Sequence, residues 1–192
     1  AAAYDGVVRE LLLAAKERGA VGLLPLLGAA LASAVRLAAA DLPVGRPLLL
    51  VPVPSTRAAV RARGDDVVLT IARRAACRVR RTGREVSVVP VLTHVRDVRD
   101  SAGLGAADRA RNLAGALGVR DAGRVRLRGG ALIVVDDLIT TGATLAEAAR
   151  ALRCAGATVH AAATVAATQR RGSSADAGLA WRTSVGPSPS PP

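Results

Sequence analysis

Four short runs constrain this chain more than anything else in it: PLLLVPV (Pro47 to Val53), VSVVPVL (Val86 to Leu92), ALIVVD (Ala131 to Asp136) and TVHAAATVAA (Thr158 to Ala167). Each is apolar almost throughout, several are rich in valine, and helix-like stretches separate most of them. A strand with one wet face alternates polar and apolar residues, whereas a strand that is apolar at nearly every position must be covered on both sides. That requirement predicts an α/β fold with a central, mostly parallel sheet flanked by helices. Two more helices are expected at the start, about Gly6 to Arg18 and Leu23 to Ala39, the first ended by Gly19.

Between Thr93 and Gly118 the pattern changes. The segment is polar, charged and glycine-punctuated, then helix-like from about Ala106. A stretch this long without clear strands reads as a functional lid. Residues 1–170 are therefore expected to form one domain, with N-terminal helices in 1–45 and a lid in 93–118. The tail, 171–192, is expected to be disordered from about residue 184, where SVGPSPSPP begins. At 192 residues and 51% hydrophobic content, one core without disulfides suffices. Cys77 and Cys154 have neither disulfide-framework nor zinc spacing, which points to a reducing, cytoplasmic setting. The uncharged run Gly19 to Val35 contains Pro25 and falls short of the roughly 20 residues of a membrane span, so a core helix is expected there. AAAYDGVVRE lacks the basic-then-apolar order of a signal peptide.

A net charge of +12, carried by arginine except at Lys16, invites phosphate-bearing partners. It also fits a composition in which arginine is simply the default surface cation. Tyr4 and Trp181 are the only aromatics, too few for a base-stacking platform, so direct nucleic-acid binding is allowed but weakly supported.

IVVDDLITTGATL (Ile133 to Leu145) carries the most chemistry. An apolar strand leads into Asp136 and Asp137, then Thr140, Thr141, Gly142, Ala143 and Thr144, and a helix is predicted from about Thr144 with Gly156 closing it. Glu147 near its start and Arg150 and Arg153 near its end suit the helix dipole. Ligands of α/β sheets bind at the carboxyl ends of the strands, and backbone amides at a helix N-terminus hold an anion of monophosphate size. Carboxylates repel phosphate, so the two aspartates must serve another part of the ligand. Paired sugar hydroxyls, met directly or through a divalent metal, are the natural choice. The bland alternative is a capped turn with no ligand.

This string resembles the signature for phosphoribosyl diphosphate (PRPP) in type I phosphoribosyltransferases. From Tyr4 to about Arg170 the chain also resembles the ComF family of competence-associated phosphoribosyltransferase-like proteins. The matching segments are VPVPSTRAAVRARG, ending in Arg63 and Gly64; YDGVVR with Lys16, Arg18 and Gly19; and Leu104, Arg109, Asn112 and Gly115 in the lid. The chain departs from that family at Asp65, Asp66 and Val67, at Val98 and at Ser101; the four-cysteine zinc module that many members carry before the tyrosine is either absent or trimmed from this sequence.

The resemblance implies a type I phosphoribosyltransferase fold that binds PRPP or a ribonucleotide with Mg²⁺. It implies displacement of diphosphate from the sugar by a nitrogen nucleophile. Asp136 and Asp137 would hold the ribose hydroxyls or, through water, the metal, and Thr140 to Thr144 the 5-phosphate. Val53, Pro54 and Ser55, with Arg57 or Arg63, would serve the diphosphate. Arg96, Arg99 and Arg109 are lid candidates to close over it, with solvated surface charge the alternative. Lys16 reads foremost as a helix-dipole partner, with an approach to the diphosphate the alternative, His160 reads as a core histidine, and His94 has no partner at catalytic spacing. A non-catalytic accessory protein in DNA uptake is the second reading. The acceptor base and the oligomeric state, a homodimer included, are not legible.

Overall fold

The computed structural model describes residues 1–96 and 106–168. Five strands form one parallel sheet: β1 (Ala2–Ala3), β2 (Leu48–Pro52), β3 (Val86–Val88), β6 (Ala131–Ile139) and β7 (Val159–Ala167), in the order β1-β7-β6-β2-β3. A separate antiparallel ribbon pairs β4 (Leu92–His94) with β5 (Leu117–Val119). The helices are α1 (Gly6–Glu17), α2 (Leu24–Ala38), α3 (Arg57–Arg63), α4 (Val67–Arg80), α5 (Ala106–Leu113) and α6 (Ala143–Cys154).

The apolar runs predicted this sheet because both of its faces are covered. Leu48, Leu50, Ile133 and Val135 point into a cluster with α1, α2 and α4. Leu49, Val51, Leu132 and Val134 point the other way, into a cluster with α6, β5 and Leu127. On the first face α2 and α4 approach so closely that a Cβ on Gly28 would stand 2.6 Å from Arg74 Cβ, which only glycine allows. Pro25 falls in the first turn of α2, where its missing N–H costs nothing. Leu24, Leu27, Leu31, Ala32, Val35 and Ala38 line the buried side of that helix, as a core helix requires.

Three expectations need correction. The run Val86 to Leu92 is not one strand: it divides at Pro90, which has no N–H for a ladder, and the chain leaves the sheet to begin β4. The lid segment is not without strands, because β4 and β5 close its base. The acid-bearing strand does not end where it meets the acids; β6 runs nine residues to Ile139, in register with β7 to Ala167. Arg99, Val98, Ser101, Leu104 and the tail lie outside the described residues.

Candidate functional site

β6 delivers Asp136 and Asp137 as its sixth and seventh residues, near the carboxyl end of the sheet. Both are buried, at 8% and 3% exposure, which for charged side chains demands partners. Asp136 Oδ1 accepts the backbone N–H of Asp137 at 2.8 Å. Lys16 Nζ, in the last turn of α1, stands 2.6 Å from Asp137 Oδ2. The ammonium lies off-axis, so this buried oxygen has a charge beside it but no aligned donor. Lys16 is thus not a dipole partner alone: the single lysine of the chain is spent on the acid pair. Burial, reinforced by the neighbouring Asp137 carboxylate and opposed by Lys16, pushes Asp136 well above the ordinary carboxylate range.

Past Ile139 the chain turns through Thr140, Thr141 and Gly142 into α6. Gly142 has φ +82°, a left-handed conformation that side chains disfavour, and it caps the helix start. The Ala143 N–H reaches Thr141 Oγ1 at a long 3.4 Å, and Ala146 N–H bonds Gly142 O. The N–H groups of Thr141, Gly142, Thr144 and Leu145 meet no acceptor among the described residues. These amides, the helix dipole and the hydroxyls of Thr141 and Thr144 leave an anion cradle open. Its entry is fixed from just past the end of β7, where Thr168 N–H donates to Ile139 O and Thr168 Oγ1 to Thr140 O. Nothing in the sequence marked Thr168.

The turn after β2 is less open. Val53 N–H is taken by Val135 O, Pro54 has none, and Ser55 gives both its N–H and its hydroxyl to Asp66. His94 Nε2 contacts Pro54 O at 3.1 Å, so the ribbon touches this turn. Arg57 is exposed at the start of α3. Arg63 donates to Lys16 O at 3.3 Å, and its Nε is buried without a partner among the described residues. The lysine that meets the acids is therefore held by its backbone as well.

Of the lid candidates, Arg109 Nη1 donates to Thr140 Oγ1 at 3.2 Å and so reaches the threonine loop. Arg96 instead clasps the end of α5, donating to Asn112 O and Ala114 O. Glu147 lies one turn deeper than the helix start and is not a solvated dipole partner. It is buried, accepts Leu117 N–H at 3.0 Å, and pairs with Arg150, which also donates to Leu117 O. Burial works against that charge, but the bonds from Arg150, Leu117 and Gly115 outweigh it and hold Glu147 below its ordinary pKa. His160 is no core residue either: it is 27% exposed and 3.3 Å from Asp41.

Among the described residues no group of three or more His, Cys, Asp and Glu gathers as a metal cage. Two buried carboxylates with one oxygen lacking an aligned donor suit instead a Mg²⁺ that arrives with ligand oxygens.

A family model described as the phosphoribosyl transferase domain matches residues 56–183, about two thirds of the chain. Adenine phosphoribosyltransferases of Mycobacterium avium and Mycolicibacterium paratuberculosis are each 56% identical over 41 residues. That stretch is 21% of this chain and 23% of each relative, so the match spans under a quarter of those proteins.

Proposed function

The chain belongs to the phosphoribosyl transferase domain family, and from that premise we propose that it binds PRPP or a ribonucleotide with Mg²⁺ and transfers phosphoribosyl to a nitrogen nucleophile, releasing diphosphate. One observation carries the reading: unengaged amides at the start of α6 lie four to eight residues past Asp137 of a buried acid pair, so a phosphate and a diol can be held together. Thr141 to Thr144 grip the 5-phosphate, with Arg109 joining through the loop it already touches. Asp136 and Asp137 take the ribose hydroxyls, and the same carboxylates hold Mg²⁺, directly or through water. When bound, Mg²⁺ neutralises charge building on the diphosphate. The transition state resembles an oxocarbenium ion, so preorganised donors and carboxylates beside the sugar supply the catalysis without a covalent nucleophile. Arg57, two residues past Ser55, and Arg63, whose guanidinium already meets the Lys16 carbonyl, supply positive charge to the diphosphate turn.

The short identity to adenine phosphoribosyltransferases makes a purine base the first acceptor to try. The second reading, a non-catalytic PRPP- or nucleotide-binding protein serving DNA uptake, follows the ComF resemblance. It is favoured by Ser55, whose two donors are both committed to Asp66 and so withheld from a diphosphate. Titrating PRPP with Mg²⁺ into the protein and into Asp136→Asn, then screening bases for diphosphate release, separates the two. Turnover with any base establishes the transferase; saturable binding with no turnover across all bases selects the accessory role. Absence of binding removes both.

A further inference from the structure

Lys16 stands where a cation would be expected. Its ammonium is 2.6 Å from Asp137 Oδ2, on an acid pair that is at least nine-tenths buried. Its backbone carbonyl is held by Arg63, and α1 packs Leu12 and Ala15 into the core, so the ammonium is delivered by an anchored element. Its side chain is nevertheless 35% exposed, enough to swing off the carboxylate without unfolding the helix.

The charges decide what this does. With both carboxylates ionised, as a metal requires of its ligands, the pair and one ammonium sum to minus one; a bare divalent ion added to them makes plus one, in a site with little water to screen it. Without the lysine the same ion would bring the pair to neutrality. A ligand carrying diphosphate changes the balance again, since its oxygens accept the displaced ammonium and supply the missing negative charge. We propose that Lys16 is a specificity-determining residue that bars free divalent cations from the acid pair and admits the metal only together with a diphosphate-bearing ligand. The proposal rests on the PRPP reading above for the identity of that ligand, but the exclusion of bare metal does not.

The experiment uses the full chain and Mn²⁺ as the probe, following loss of the free-ion paramagnetic resonance signal, with and without PRPP. Wild type should bind Mn²⁺ alone weakly and at least about tenfold more tightly with PRPP. Lys16→Gln should bind Mn²⁺ alone at least about tenfold more tightly than wild type, and Lys16→Arg, which keeps the charge, should not. A lysine that merely braces α1 would on removal lower Tm and could add no metal affinity, so the gain cannot come from damage. The inference is overturned if Lys16→Gln binds Mn²⁺ no better than wild type, or if wild type binds it equally well with and without PRPP while PRPP itself binds. Should PRPP fail to bind at all while Lys16→Gln still gains Mn²⁺, the ligand reading falls and the barrier function of Lys16 stands.

Discussion

Asp136 sits in a place chosen for chemistry and not for stability. Its carboxyl is buried beside another, and its folded pKa lies above the unfolded value of about 3.9. A carboxyl raised in this way binds more protons folded than unfolded, so its contribution falls as pH rises from the unfolded value through the raised one. Asp136→Asn keeps an oxygen for the Asp137 N–H and removes the charge. The variant should therefore be more stable by about 0.5–2 kcal/mol, with the gain in Tm larger at pH 8 than at pH 5, while losing PRPP binding. Melting curves at the two pH values check it, and a loss of stability at pH 8 would contradict the placement. Glu147 behaves oppositely. Its folded pKa is depressed, so its stabilisation is complete above the unfolded value of about 4.3 and is lost as pH falls through the folded one. Glu147→Gln should cost about 1–3 kcal/mol at neutral pH, and its Tm should fall less than that of wild type on acidification below pH 4.

At the scale of elements, α6 joins three parts of the molecule. Its first turn forms the open cradle, Glu147 and Arg150 in its second tie it to β5 at the base of the lid, and its inner face packs on β6. The entry depends on Gly142, whose φ of +82° strains any residue with a Cβ although space is available, the nearest atom being 3.7 Å away. Gly142→Ala should cost about 1–2 kcal/mol of stability if the turn is kept. If the turn relaxes instead, PRPP affinity should fall with little change in Tm; calorimetry beside a melting curve tells which. An alanine variant with wild-type stability and affinity would show that the turn is not held in this form. The helix itself was legible, because Leu145, Ala148, Ala149 and Leu152 recur at helical spacing before Gly156. The Glu147 tie was not, since an acid near a helix start reads equally as a dipole partner and only the position of β5 makes it buried. The same limit hid the division at Pro90: a run of valines shows burial, but which sheet it joins is decided by partners far away in sequence.

Across the whole molecule, the candidate site draws on both faces of the sheet. Lys16 comes from α1 on one face, α6 and the β4–β5 ribbon lie on the other, and the acids stand in the strand between them. The acid pair and threonine loop could be read from a contiguous string. The lysine could not, because 121 positions separate Lys16 from Asp137 and no periodicity links them. The one clue was that a chain using arginine elsewhere keeps one lysine. A ligand seated at this edge touches elements of both layers, so its binding energy should appear as stability of the entire fold. At PRPP and Mg²⁺ about a hundredfold above the dissociation constant, the gain is about 2.7 kcal/mol. For a domain of this size that raises Tm by about 5–11 °C. Hydrogen exchange should slow in α1 and α6 together, since the ligand ties both to β6. Protection confined to α6, with α1 exchanging as in the free protein, would mean that Lys16 does not meet the ligand and that the first layer is only scaffold.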